Sequence, residues 1–184
     1  MSYSTTPAYI HHCNGWEDRF KEHPVFEWMF DYTTAFDKGD MKAGPYTKWH
    51  TADFAYTLSN GVTVAPGEPS WAATLELYAP FTEHFHEPRW FAVWETPNGY
   101  DLTGHARLYA DLPVPGDKTK EDLSGRKWDV CGFGMFQFSF TKDESGPRGL
   151  KMAATKLYSD PSPLMGEMVK RGMVKGEDIL AKMA

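Results

Sequence analysis

The stretch TEHFHEPRWFAVWETPNGYDLTGHARLYAD (82–111) decides how this chain folds. Apolar and polar residues alternate through both of its halves, which is the two-residue period of an extended strand. Pro97-Asn98-Gly99 between them is a turn sequence. The pattern predicts strands over 82–87, 89–96 and 101–111. His84 and His86, two residues apart, then point to one side of their strand. Such a pair suits metal ligation, proton handling over a buried pocket, or a plain wet face.

Working outward, the same reading predicts strands over 129–141 and 149–158, with a turn over Asp143–Gly149. Upstream, Phe26, Met29, Phe30, Thr33 and Phe36 recur at helical spacing, so a helix is expected from Pro24 to Lys38, stopped by Gly39. A helical turn over Tyr46–His50 follows. Asp53–Leu58 and Val62–Val64 read as a hairpin around Asn60-Gly61. A second helix is expected over Ser70–Tyr78, with Ser70 as its N-cap.

Residues 1–23 read as an N-terminal arm, 112–127 as a charged surface loop, and 166–184 as a C-terminal helical tail. Helices first and then a run of antiparallel strands imply an α+β fold: a strongly bent sheet over helices, enclosing a cone. Gly132 and Gly134 are expected to supply the bulges or kinks that such bending needs.

At 184 residues the chain suits one domain with a substantial core. Its 7 Trp, 9 Tyr and 12 Phe are more rings than an aliphatic core absorbs, which suggests an aromatic-lined cavity or a subunit interface. A net charge of −6 without a long basic run argues against nucleic acid or an anionic membrane as partner. The sequence displays no secretory signal and no apolar run of membrane-spanning length. Cys13 and Cys131 form neither a disulfide framework nor a CxxC pair, so a soluble, reducing cytoplasmic setting is expected. Phosphate-binding glycine motifs and a G-x-S-x-G elbow are missing, so nucleotide cofactors and serine-hydrolase chemistry are disfavoured.

The element order, with a first helix ending in FDKGD and a late strand ending in KLYSDPSPL, resembles the SnoaL-like family over roughly 24–165. That resemblance implies the cone-shaped fold of nuclear transport factor 2, a metal- and cofactor-free site, and dimers formed through the sheet. TEHFHEPRW followed by GHARLY is similar to the paired histidines of the scytalone dehydratases, fungal melanin-pathway lyases. It implies catalytic roles for His84 (or His86) and His105, for Asp37 at the helix end and for Tyr56 on the first strand. Phe36 stands where that group carries tyrosine, and Gln137 is the candidate for a late-strand asparagine.

Read from the residues themselves, His105 lies on a polar strand face with Asp101, Thr103, Arg107 and Tyr109. That face is expected to line the cone or to meet water. The opposite face, Leu102, Gly104, Ala106, Leu108 and Ala110, suits packing on a sheet or subunit. A metal would draw on His84, His86, Glu87 and His105, but H-x-H without a third fixed ligand is weak, and no metal is expected. Imidazole suits acid–base work near neutrality, with Asp37 or Asp53 setting its tautomer. Trp28, Tyr32, Trp49, Phe54, Trp90, Tyr109, Met135 and Gln137 are the expected ligand-contacting residues. Cys131 reads as a buried thiol, and His11, His12 and His23 as exposed. The function expected is a cofactor-free lyase or isomerase acting on a small aromatic or polyketide-derived metabolite. The alternative is a binding or dimerisation module of the same fold.

Overall fold

A computed structural model describes residues 7–177, so the outermost parts of the expected arm and tail lie outside the described residues. Six strands form one sheet in the order β1-β3-β4-β7-β8-β2. They are β1 (Ala8–His12), β2 (His50–Thr57), β3 (Glu83–Thr96), β4 (Gly99–Asp111), β7 (Val130–Lys142) and β8 (Leu150–Ser159). Two-residue strands β5 (Lys120–Glu121) and β6 (Lys127–Trp128) form a separate ribbon. β3, β4, β7 and β8 are a continuous antiparallel meander, and β2 adds to β8 in parallel. The α+β class follows from helices α1 (Pro24–Asp37) and α2 (Glu68–Tyr78) lying over one face of this sheet.

α1 begins where its sequence signals it: Pro24 occupies the first turn, and the His23 ring accepts from the Val25 N–H at 3.2 Å. Its apolar stripe, including Phe26, Trp28 and Met29, is buried against the sheet, and the Trp28 indole N–H donates to the Leu150 carbonyl at 3.1 Å. α2 is capped by Gly67 (φ 80°) rather than by Ser70. The Ser70 hydroxyl is fully buried, donates to the Ala65 carbonyl and accepts from the Tyr56 N–H, tying α2 to β2.

Several expectations are corrected. The predicted strands 82–87 and 89–96 are one strand with a bulge, where the register passes from Pro88↔Ala106 to Trp90↔His105. Pro88 has no N–H for the ladder, so the break falls there. The bulge shifts the alternation by one residue, so that His86, Pro88 and then Phe91 reach the same side. Gly132 and Gly134, by contrast, lie in unbroken register with Leu108 and Ala106. The predicted return strand 62–64 is reduced to one bridge, Thr57↔Thr63, because Pro66 and Gly67 turn the chain into α2.

Part of the arm is a real strand: residues 8–12 pair with β3 from Trp94 to Trp90. His11 is therefore buried, and His23 is half-buried. The 112–127 segment is at the surface but firmly held. Its end packs Trp128 against Phe85 and Tyr109, while Arg126 clamps Glu83 with bonds of 2.6 and 2.7 Å. At the other end α3 (Ser162–Lys170) packs Leu164 and Met168 around Ala110 and Val130. Among the described residues no helix is long and apolar enough to cross a membrane.

Candidate active site

The inner face of the sheet and the helices enclose a cavity of about 210 Å³. Its walls are mainly rings, among them Tyr32, Phe36, Tyr78, Phe91, Phe136 and Phe138. The small residues of β4 and β7 leave the room. A Cβ at Gly132 would meet nothing within 4 Å, whereas one at Gly104, where the core closes, would lie 2.5 Å from Phe91 and 2.7 Å from Phe136. Most polar side chains on the wall are turned to partners within the chain. Tyr32 meets His50 at 3.1 Å, Thr74 donates to the Ser70 carbonyl, and Thr155 contacts the Met152 sulfur.

His86 is the wall residue that matters chemically. Asp37, at the last turn of α1, reaches over to β3 and accepts twice from this one residue. The ring Nδ1–H donates to Oδ1 at 2.6 Å, and the main-chain N–H donates to Oδ2 at 3.1 Å. A carboxylate can only accept, so the proton sits on Nδ1 and the Nε2 lone pair is left toward the cavity wall. There Nε2 meets the Tyr78 hydroxyl at 3.0 Å. Burial, with smaller contributions from Tyr32, Asp37 and Tyr56, pushes the Tyr78 phenol far above its ordinary range. It is therefore a hydrogen-bond donor at any physiological pH. Trp16 fixes the backbone of the same residue by donating its indole N–H to the His86 carbonyl at 2.9 Å.

His84 lies beside this pair, with Nε2 3.6 Å from Asp37 Oδ1 and its ring 4.9 Å from that of Tyr78. One donor atom from each of Asp37, His84 and His86 falls within 4.8 Å of the others, a set that could also hold a cation. The carboxylate beside the imidazoles is thus Asp37. Glu87, weighed only as a metal ligand, projects to the opposite side of β3 and is 1% exposed beneath the 112–127 segment.

The other expected site residues separate by face. His105 pairs with Trp90 and Met135 and stacks on Phe133 at 5.8 Å, on the outer side of the sheet away from the cavity. Burial, then the Arg107 and Arg89 charges, hold its imidazole below the usual range. The small apolar face of β4 lines the cone instead, so the polar face takes the outward of the two orientations left open for it. Trp90, Tyr109 and Gln137 share the outer parity; Tyr109 there contacts Glu87 and Arg107. Asp53 is exposed. Tyr56, Trp28, Trp49 and Phe54 are buried packing residues outside the cavity lining. Tyr32 and Met135 do border the cavity, Met135 at a rim where it is 40% exposed. Cys131 is half-buried.

Two contributors went unread in the sequence. Tyr78 ends α2, packs edge-on against Phe36 at 4.7 Å, and brings the hydroxyl that Phe36 lacks. His50 opens β2, fully buried, with Nδ1 donating to the Tyr46 carbonyl at 3.0 Å and Nε2 accepting from Tyr32. Burial pushes its pKa down to about 4, so it stays neutral.

No family model matches the chain, and no curated protein matches it in sequence. Solved structures do. A hexachlorocyclohexane dehydrochlorinase, LinA-type3 from Novosphingobium barchaimii LL02, is similar at 9% identity with a TM-score of 0.52, covering 76% of this chain and 86% of that one. The Kfla4162 protein from Kribbella flavida is similar at 16% identity and TM-score 0.55, covering 78% and 92%. The S. rosetta CaMKII hub is similar at 14% identity and TM-score 0.52, covering 74% and 95%. The chain therefore has the α+β, nuclear transport factor 2-like fold expected from its element order.

Proposed function

We propose that this protein is a cofactor-independent lyase or isomerase acting on a compact, largely apolar ring compound. The observation that carries the reading is the chain Asp37–His86–Tyr78 at the wall of an aromatic cavity. His86 Nε2 takes a proton from a substrate C–H; the freed electron pair forms a C=C bond, either expelling a leaving group from the adjacent carbon or conjugating with a carbonyl. Asp37 holds the tautomer and stabilises the imidazolium that forms. Substrate must first draw the Tyr78 hydroxyl off Nε2. That hydroxyl then donates to the oxygen or leaving group where negative charge gathers. A cavity of about 210 Å³ exceeds the roughly 150 Å³ that holds a benzene ring and falls below the range for drug-sized ligands. One substituted ring, or a compact pair, fits. The dehydrochlorinase of the same fold is consistent with elimination chemistry in such a cone, although identity of 9% carries no activity across.

The test is a panel of cyclic β-halo and β-hydroxy ring compounds incubated in D2O, with elimination and C–H exchange followed by NMR. Turnover that falls by about 10²-fold or more in a folded His86→Gln variant supports the reading. Binding of panel members without exchange or elimination contradicts it.

A second reading is favoured by a separate observation. Phe133 and Met135 on β7 and Tyr158, the register partner of Met135 on β8, are 52, 40 and 48% exposed. Such a patch suits pairing of two copies through the sheet. Ultracentrifugation of Phe133→Lys against the parent chain checks it; an unchanged molecular mass in a dimeric parent removes this patch from the interface.

A further inference from the structure

A second donor cluster lies on the N-terminal strand, apart from the Asp37–His86 pair. His11 and Cys13, two residues apart, project to one side of the β1 chain. The Cys13 N–H donates to the Arg89 carbonyl at 2.9 Å and the Gly15 N–H to the Pro88 carbonyl at 3.0 Å, which holds the segment against β3. Gly15, at φ 84°, then turns the chain so that the Glu17 carboxylate returns to them. One donor atom from each of His11, Cys13 and Glu17 lies within 4.8 Å of the other two.

The independent sign of a ligand is His11 itself. Its residue is 3% exposed, and its Nε2 has no hydrogen-bond partner among the described residues. The Glu17 Oε1 stands off at 3.5 Å. The ring is seated edge-on against Phe20 at 5.0 Å, and its buried Nε2 is turned toward the Glu17 carboxylate. Buried polar nitrogens are nearly always satisfied, and one that is not calls for an explanation.

We infer that His11, Cys13 and Glu17 form a binding site for a zinc-type divalent cation, with a fourth position open to water. An imidazole nitrogen, a thiolate sulfur and a carboxylate oxygen form a borderline-soft donor set that suits Zn2+ and excludes Ca2+ or Mg2+ as resident ions. The donors need to draw in by a few tenths of an ångström or more to reach tetrahedral spacing, and Glu17 has freedom to do so because its side chain is 41% exposed. Two anionic ligands neutralise a divalent ion. The nearby Arg89 charge is taken up by the buried Glu87 carboxylate. The site would fasten the 13–17 segment, which carries Trp16 onto the His86 carbonyl and into the cavity wall. It thus braces the proposed catalytic residue without touching the reaction, and stands independently of it.

The experiment uses the full, reduced chain, stripped with chelator and titrated with Co2+ as a spectroscopic substitute for Zn2+. One equivalent should bind with thiolate-to-cobalt charge-transfer absorption, and Zn2+ should displace it. The absorption should vanish in Cys13→Ser and persist in His86→Gln. Glu17→Gln, a change at a partly exposed position, should keep the fold and weaken binding by at least about tenfold. Absence of the charge-transfer band overturns the site. So does a band that survives Cys13→Ser, unchanged affinity in Glu17→Gln, or cobalt binding that is lost in His86→Gln.

Discussion

The two faces of the central strands carry opposite chemistry within a few ångströms of each other. On the inner face the polar groups are mostly neutral: His50 is held uncharged, Tyr32 and Tyr78 are held as phenols, and Asp37 lies against an imidazole. On the outer face charges are buried and paired. Glu87 accepts from Arg89, Tyr109 and the Leu123 N–H, and Asp111 accepts from Arg126 and Lys118. Adjacent residues on one strand, His86 and Glu87, belong to these two worlds. The inner face offers an imidazole lone pair, shared only with the Tyr78 hydroxyl, beside a hydrophobic chamber, which is what proton transfer needs. The outer face offers paired charges, which position the 112–127 segment.

The sharpest way to break this contrast is to exchange the histidines. His86→Gln should lower turnover by about 10²- to 10⁴-fold, and His105→Gln should leave it within about twofold. Steady-state kinetics on any substrate found in the panel decides it; equal losses would erase the distinction between faces.

The outer face should respond in stability. Glu87→Ala leaves the Arg89 guanidinium without its buried partner, and should cost about 3 kcal/mol in urea unfolding while the folded variant keeps its cavity.

Acid should act on the inner face. His50 has a pKa lowered from 6.5 to about 4, so the unfolded chain binds a proton in that interval that the folded chain refuses. Its contribution is intact above about pH 6.5 and is lost as pH falls toward about 4, at roughly 1.4 kcal/mol per pH unit. His50→Gln should flatten that slope. It should not abolish it, because burial lowers the pKa of His23 and His105 in the same sense. The smallest effect expected is at the cavity wall. Gly132→Val places methyl groups where no atom lies within 4 Å, and should weaken ligand binding by about tenfold with little change in melting temperature.

The sequence made the elements legible because their signals are local. The helix expected to Lys38 ends at Asp37, and the strands expected at 101–111, 129–141 and 149–158 match within two residues at each end. For the pairing of Asp37 with the 84–86 stretch, the residues alone left Asp37 and Asp53 both open, and only the family resemblance pointed to Asp37. What local pattern could not supply was direction. The alternation of β4 shows that two faces exist, but which one faces inward is set by α1 and α2 on one side and by Trp128 and Leu123 on the other. The bulge at Pro88 compounded this by shifting the parity within β3. Tyr78 escaped notice because a helix-terminal tyrosine before Ala79-Pro80 reads as a packing residue. His11 read as exposed because nothing local shows that residues 8–12 join an edge strand.

The central claim is that Asp37 holds His86 as the Nδ1–H tautomer with its Nε2 lone pair facing the cavity. Ring-nitrogen NMR of the chain with 15N-labelled histidine, assigned by comparison with His86→Gln, reads this directly. At neutral pH His86 should show a protonated Nδ1 and an unprotonated Nε2, and Asp37→Asn should disturb that pattern. A His86 that carries its proton on Nε2, or that is indifferent to Asp37→Asn, would contradict the account.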